Sequence, residues 1–115
     1  MLRIAENREG REATEGALTL DELALEGARR MLAAALEEEV AAYIDRHHAE
    51  VDARGHRLVV RNGKAKTRKV TCGAGTLDVR APRVNDRRID EDGRRQRFTS
   101  SILPPYMRRS PKVAE

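Results

Sequence analysis

The sequence predicts an α+β chain: one long N-terminal helix, then a three-stranded antiparallel β-meander, then an irregular basic C-terminal segment. Three observations predict it. Apolar residues recur at helical spacing from Leu20 to Ile44. Strand-like alternation takes over after Gly55. From Arg83 onward, charge, proline and serine replace any period. The corresponding divisions are a flexible leader at 1–17, a helical region at 18–55, a meander with a basic face at 56–84, and a charged loop leading into the start of a further domain at 85–115.

The leader mixes Glu, Arg, Gly and Ala without a sustained period, as a frayed end does. The helix has a clear beginning at Thr19-Leu20-Asp21-Glu22. Thr19 can cap the first turn while Glu22, three residues on, reaches back to it, and Leu18 and Leu23 stand where a hydrophobic staple would close. Behind this start Leu20, Leu23, Ala24, Ala28, Met31, Leu32, Ala35, Leu36, Val40, Tyr43 and Ile44 keep the helical period to at least Arg46, with Gly55 as the natural stop. So long a helix is expected to exceed what a few small strands can cover. Self-association through residues 20–44 is the simplest cover, packing on a further domain the other.

After Gly55, Arg57-Leu58-Val59-Val60-Arg61 precedes Asn62-Gly63, a strong two-residue hairpin signal, and Lys64–Cys72 is the expected return strand. Gly73-Ala74-Gly75 turns into a third strand at Thr76–Ala81, stopped by Pro82. A turn at Asn62-Gly63 would pair Arg61 with Lys64, Val59 with Lys66 and Arg57 with Arg68. Arg57, Arg61, Lys64, Lys66 and Arg68 would then share one face with Val59, and Leu58, Val60, Ala65 and Thr67 the other. Like charges directly opposite one another destabilise a hairpin, so this register expects an anion to neutralise them. Lys69 and Val70 fall on the wrong faces for it, which calls for a bulge.

Charge sharpens that expectation. Residues 1–50 hold 6 Lys/Arg against 12 Asp/Glu, a balance of −6, and residues 51–115 hold 17 against 7, a balance of +10; together they make the net +4. A polyanion would meet the second half and be repelled by the first. Arg80, Arg83, Arg87 and Arg88 extend the hairpin cations into a basic track suited to phosphates. Aromatics are only 3% of the chain, too few to interleave with the cations, so single-strand stacking is not expected. The candidate DNA-contacting residues are therefore Arg57, Arg61, Lys64, Lys66, Arg68, Arg80, Arg83, Arg87 and Arg88.

Other clusters have bland readings. His47, His48, His56 and Cys72 match no metal-ligand spacing, and Asp90-Glu91-Asp92 reads as a solvated loop. No cofactor is expected on this chain. One cysteine forms no intrachain disulfide, and no apolar run is long enough for a signal peptide or a membrane helix, so the expected place is the cytoplasm, at the nucleoid. Beyond the charged stretch at 83–97, Phe98, Ile102, Leu103, Tyr106 and Met107 offer apolar anchors. Ser110-Pro111 opens a helix that Glu115 leaves incomplete, so a fragment is expected.

Three stretches resemble the N-terminal region of Mutator-type bacterial insertion-sequence transposases. They are Glu26–Leu32 with Glu37–Val40 and Tyr43; Leu58–Gly63 with Thr71–Gly75, Val79–Val84 and Asp86-Arg87; and Phe98–Tyr106 with Arg108–Ser110. The resemblance covers about residues 20–115 in the family's order. It implies a protein that binds the terminal inverted repeats of its element in duplex DNA and takes part in transposition. It also implies a downstream catalytic domain whose acidic triad holds divalent metal such as Mg²⁺. No residue here matches that triad, so catalytic and metal positions are none, and this chain alone is expected to be inactive. The alternative is a degenerate remnant whose remaining property is helix-mediated self-association.

Overall fold

The computed structural model describes residues 18–110; the leader at 1–17 and most of the helix opening at Ser110-Pro111 lie outside them. Helix α1 runs Leu20–Arg46. Its start is the expected capping box: the Glu22 amide donates to Thr19 Oγ1 at 3.1 Å and the Thr19 amide to Glu22 Oε1 at 2.9 Å. It ends at Arg46, nine residues before Gly55, and is followed by the cap residue His47, whose ring Nδ1 lies 2.6 Å from Glu50. Gly55 closes a separate turn, where Asp52 Oδ1 accepts from the amides of Arg54 and His56, each at 2.9 Å.

Four strands follow, not three: β1 (Val59–Lys64), β2 (Arg68–Cys72), β3 (Gly75–Val79) and β4 (Pro82–Asp86). The order of pairing also differs from the expected meander. β2 pairs with β3 across the turn at Gly73-Ala74, and β1 pairs with β4, both antiparallel. The two small sheets lie along one long hairpin, joined where the Ala65 amide donates to the Ala81 carbonyl at 2.8 Å. Pro82 opens a strand instead of ending one, at the first position where its missing N–H is tolerated.

Asn62-Gly63 is therefore not the hairpin turn. It lies inside β1, where the register slips by one residue between Arg61, opposite Val84, and Lys64, opposite Pro82. Gly63 has φ +64°, the left-handed conformation that a bulge and a two-residue hairpin turn both demand of glycine. A second extra residue is taken up on the same arm before Arg68 pairs with Val79. The pairing that wins has a better apolar face. Val70 stands opposite Leu77, both buried, whereas the hairpin at Asn62-Gly63 would have turned Val70 outward and set Arg61 against Lys64.

The ribbon lays one face against α1. Leu36, Val70, Leu77, Val79 and Leu103 form the core, with Leu25, Ala28, Leu32, Cys72, Ala81 and Met107 packed around it. Gly75 approaches α1 so closely that a Cβ there would come within 3.0 Å of Leu25 Cδ1. The strands thus cover the inner stripe of the helix, which the sequence alone had left without cover. The C-terminal segment completes the layer: Leu103 is buried, Phe98 stacks edge-on against Tyr43 at 4.9 Å, and residues 108–110 pair in parallel with Thr71 on the free edge of β2. Ile102 and Tyr106 are not anchors; Tyr106 is 94% exposed.

Candidate nucleic-acid interface

The nine cations expected to form one track divide into two sets, and the bulges divide them. Four are engaged by their side chains within the fold, and a fifth, Arg57, is held there by its backbone alone. The Arg61 guanidinium pairs with Glu37 of α1. Arg68 turns its head to the carbonyls of Leu103, Pro104 and Pro105, fastening the C-terminal segment. Arg87 reaches the Arg57 carbonyl at 3.0 Å and Asp52 at 3.5 Å. Arg88 lies across Asp86 and the Tyr43 hydroxyl at 2.9 and 2.8 Å. Arg57 is exposed, and its backbone is held in an isolated bridge to Val51. Arg61 stands opposite Val84, Lys64 opposite Pro82 and Arg68 opposite Val79, so these cations do not face one another across the ladder and the argument from a like-charged hairpin does not hold.

The remaining four gather where the two sheets join, at the waist of the ribbon. Arg83 Nε donates to the Asn62 carbonyl at 3.1 Å, and Arg80 Nε to the Ala65 carbonyl at 3.2 Å. Both carbonyls belong to the arm that carries the extra residues, where the ladder leaves acceptors unused. Each guanidinium is thus held by one nitrogen, and its terminal N–H groups bond to nothing else among the described residues. Lys64 and Lys66 stand on the facing arm, exposed, and neither pairs with a carboxylate among the described residues. A shallow cleft of about 310 Å³ between α1 and the waist is lined by Arg29, Ala33, Lys64, Thr67, Asp78, Val79 and Arg80. Its acid, Asp78, is bound by Lys69 at 2.8 Å, and its Arg29 by Glu26 at 2.6 Å.

At the foot of the ribbon, by contrast, charge is buried. Asp86 is 4% exposed and receives Tyr43 Oη at 2.5 Å and the Arg88 amide and guanidinium at 2.9–3.0 Å. Burial alone would raise its pKa, but these hydrogen bonds hold it down at about 2, against an ordinary 3.8. Burial and the neighbouring Asp86 raise the Tyr43 hydroxyl, and the Asp86 hydrogen bond raises Arg88. Glu39 makes a second clasp, accepting from Ser100 Oγ at 2.5 Å and from the Ser101 amide and hydroxyl at 2.7 and 2.9 Å. Burial works against its ionised form, and these donors outweigh it to lower the pKa.

The family model described as "Transposase, Mutator family" matches residues 3–115. The chain belongs to the Mutator family of transposases. No match was found among curated proteins. The three stretches that carry the Mutator resemblance are the three parts that pack together here: α1, the ribbon and the Phe98–Ser110 segment, joined by Tyr43–Asp86, Tyr43–Phe98 and Glu39–Ser100/Ser101. Reading the sequence missed Glu39, Tyr43 and Asp86 as joints, because each partner lies more than forty residues away.

Among the described residues of this Mutator chain, no three His, Cys, Asp or Glu side chains converge as metal ligands would. His48 Nδ1 lies 2.7 Å from the Asp45 carbonyl, and Asp90 organises a turn by accepting from the amides of Asp92 and Arg94. No helix among them is long and apolar enough to cross a membrane.

Proposed function

We propose that this chain is the DNA-gripping and self-associating part of a Mutator transposase, acting at the nucleoid on the terminal inverted repeats of its element. The supporting observation is the waist cluster. Lys64, Lys66, Arg80 and Arg83 stand together with no carboxylate partner among the described residues, and two of them are pre-positioned by backbone carbonyls. Guanidinium heads already held in place lose less freedom on meeting a phosphate, and they grip backbone without reading sequence. Arg57 adds a further exposed cation toward the foot, whereas Arg61, Arg68, Arg87 and Arg88 serve the fold first. Strand cleavage is assigned to no residue of this chain.

The test is fluorescence anisotropy on a labelled duplex across a salt series. If each of the four waist cations neutralises one phosphate, log K falls against log salt with a slope of about −3 to −4. Absence of duplex binding at low salt removes the DNA reading. It would leave the remnant reading, in which self-association alone persists.

A further inference from the structure

The charged stretch after β4 folds into an ordered turn. Ile89 bridges Arg95 in antiparallel pairing, the Gln96 amide donates to the Arg88 carbonyl at 2.8 Å, and the Gln96 side chain reaches Asp90 at 3.2 Å. The returning arm brings Arg95 and Arg97, on either side of Gln96, to a cavity of about 320 Å³ beside β4, walled otherwise by Val84, Asp86 and Phe98. Arg95 is held there: its Nε donates to the Asp86 carbonyl and its Nη2 to Asn85 Oδ1, each at 2.8 Å. Both acceptors are neutral, so they orient the guanidinium without cancelling its charge. Arg97 is exposed and pairs with no carboxylate among the described residues. The acid in the wall, Asp86, is already spent on the Tyr43 hydroxyl and the Arg88 guanidinium. Val84 and Phe98 supply the apolar side, and Phe98 is fixed edge-on against Tyr43 at 4.9 Å.

We infer that this cavity takes one nucleotide drawn out of the base stack at a DNA strand end, its base against Phe98 and Val84 and its phosphate on Arg95 and Arg97. The volume lies at the lower end of the range in which small ligands bind. A nucleotide has an apolar flat part and an anionic part, and the walls divide in the same way. A base still stacked within a duplex has no face to offer, so the occupant is an unstacked one. Along the sequence the few aromatics do not interleave with the cations. Folding sets Phe98 beside Arg95 and Arg97 instead, and a ring next to cations is what binders of single strands use. DNA as the source of the nucleotide rests on the proposed function. Val84 directly follows the waist cation Arg83 on β4, so a strand held at the waist has its neighbouring nucleotides close to the cavity. The waist would then hold duplex backbone, and the cavity would favour an end with an unpaired nucleotide.

The experiment uses the full chain and compares, by fluorescence anisotropy, a blunt duplex, the same duplex with a short 3′ or 5′ overhang, and that overhang without its bases. One of the overhangs should bind about five- to ten-fold tighter than the blunt duplex, the gain expected of one base packed on a ring. Removing the bases should cancel most of that gain, and Arg97→Ala should cut it to under about two-fold. Each gain is a ratio within one protein, so it does not depend on how tightly the waist holds the duplex. Equal affinity for blunt and overhanging probes overturns the strand-end occupant and leaves the waist grip standing. A gain that survives loss of the bases, or survives Arg97→Ala, overturns the cavity as its cause. If no duplex binds at all, the waist reading fails, and 2′-deoxyadenosine 5′-monophosphate then tests the cavity by itself. Phe98 is the single phenylalanine, so its ring signals in an NMR spectrum are unambiguous. They should shift at millimolar nucleotide in the wild-type chain and much less in Arg97→Ala. Ring signals that stay in place throughout that titration overturn the nucleotide site.

Discussion

At the foot of the ribbon the arginines are held by this chain's own acids, whereas at the waist they face none. Arg88 closes on Asp86 and Tyr43 inside the fold; Arg80 and Arg83 rest on backbone carbonyls and keep their outer N–H groups free of carboxylates. The same residue type, a few positions apart on one strand and its lead-in, serves cohesion in one place and offers charge outward in the other. Whether an acid is in reach decides the difference. The end of β4 and the loop after α1 supply acids beside the foot, and α1 a tyrosine; at the waist the bulges supply carbonyls, and the one acid lining the cleft, Asp78, is taken by Lys69.

Four measurements can break or sharpen this contrast. The largest effect is expected from Asp86→Ala, which leaves the partly buried Arg88 guanidinium with only the Tyr43 hydroxyl at 2.8 Å and a long contact to Glu50 at 3.9 Å; urea unfolding should show a loss of about 3 kcal/mol. A loss under about 1 kcal/mol would mean that the foot is no more cohesive than an exposed ion pair. Next, reversing Lys64, Lys66, Arg80 and Arg83 to Glu should lower duplex affinity at least ~100-fold at low salt, with the unfolding midpoint little changed. Reversal at Arg29 and Arg30 should do much less. If the two sets weaken binding equally, the waist is not the grip.

Acid titration comes third. The folded pKa of Asp86 lies at about 2, below its ordinary 3.8, so its contribution is present above the ordinary value and is lost as the pH falls from there through about 2. Stability should decline by about 2 kcal/mol over that window, an order-of-magnitude figure from the shift. Asp86→Asn should flatten the decline; an unchanged decline would assign it to other carboxylates. The smallest effect is expected from Thr19→Ala, about 1 kcal/mol through loss of the capping box, seen as a lower thermal midpoint with DNA binding intact.

Local signals were legible in the sequence and distant ones were not. The capping box at Thr19 and Glu22 and the turn before Gly75 are each settled within a few residues, and both stand where expected. Asn62-Gly63 misled because a bulge and a hairpin turn ask the same thing of the chain, a glycine at positive φ. The signs against the hairpin were already present: Arg61 opposite Lys64, and Val70 on the wrong face. Total charge pointed to the second half of the chain. It could not separate Arg61 or Arg68 from Lys64 or Arg83, because the partners of the first two, Glu37 and the carbonyls after Ile102, come near only once the chain has folded.

The pairing of residues 108–110 with Thr71 protects as well as fastens. Thr71 donates to the Arg108 carbonyl at 2.7 Å and accepts from the Ser110 amide at 2.9 Å, so the outer edge of β2 is occupied by the chain's own tail. Clipping the chain before Leu103 would strip that edge bare and free Arg68 at the same stroke. A row of unpaired backbone groups beside Val70 would then invite strands from neighbouring molecules, and the clipped protein should precipitate where the whole one stays dispersed.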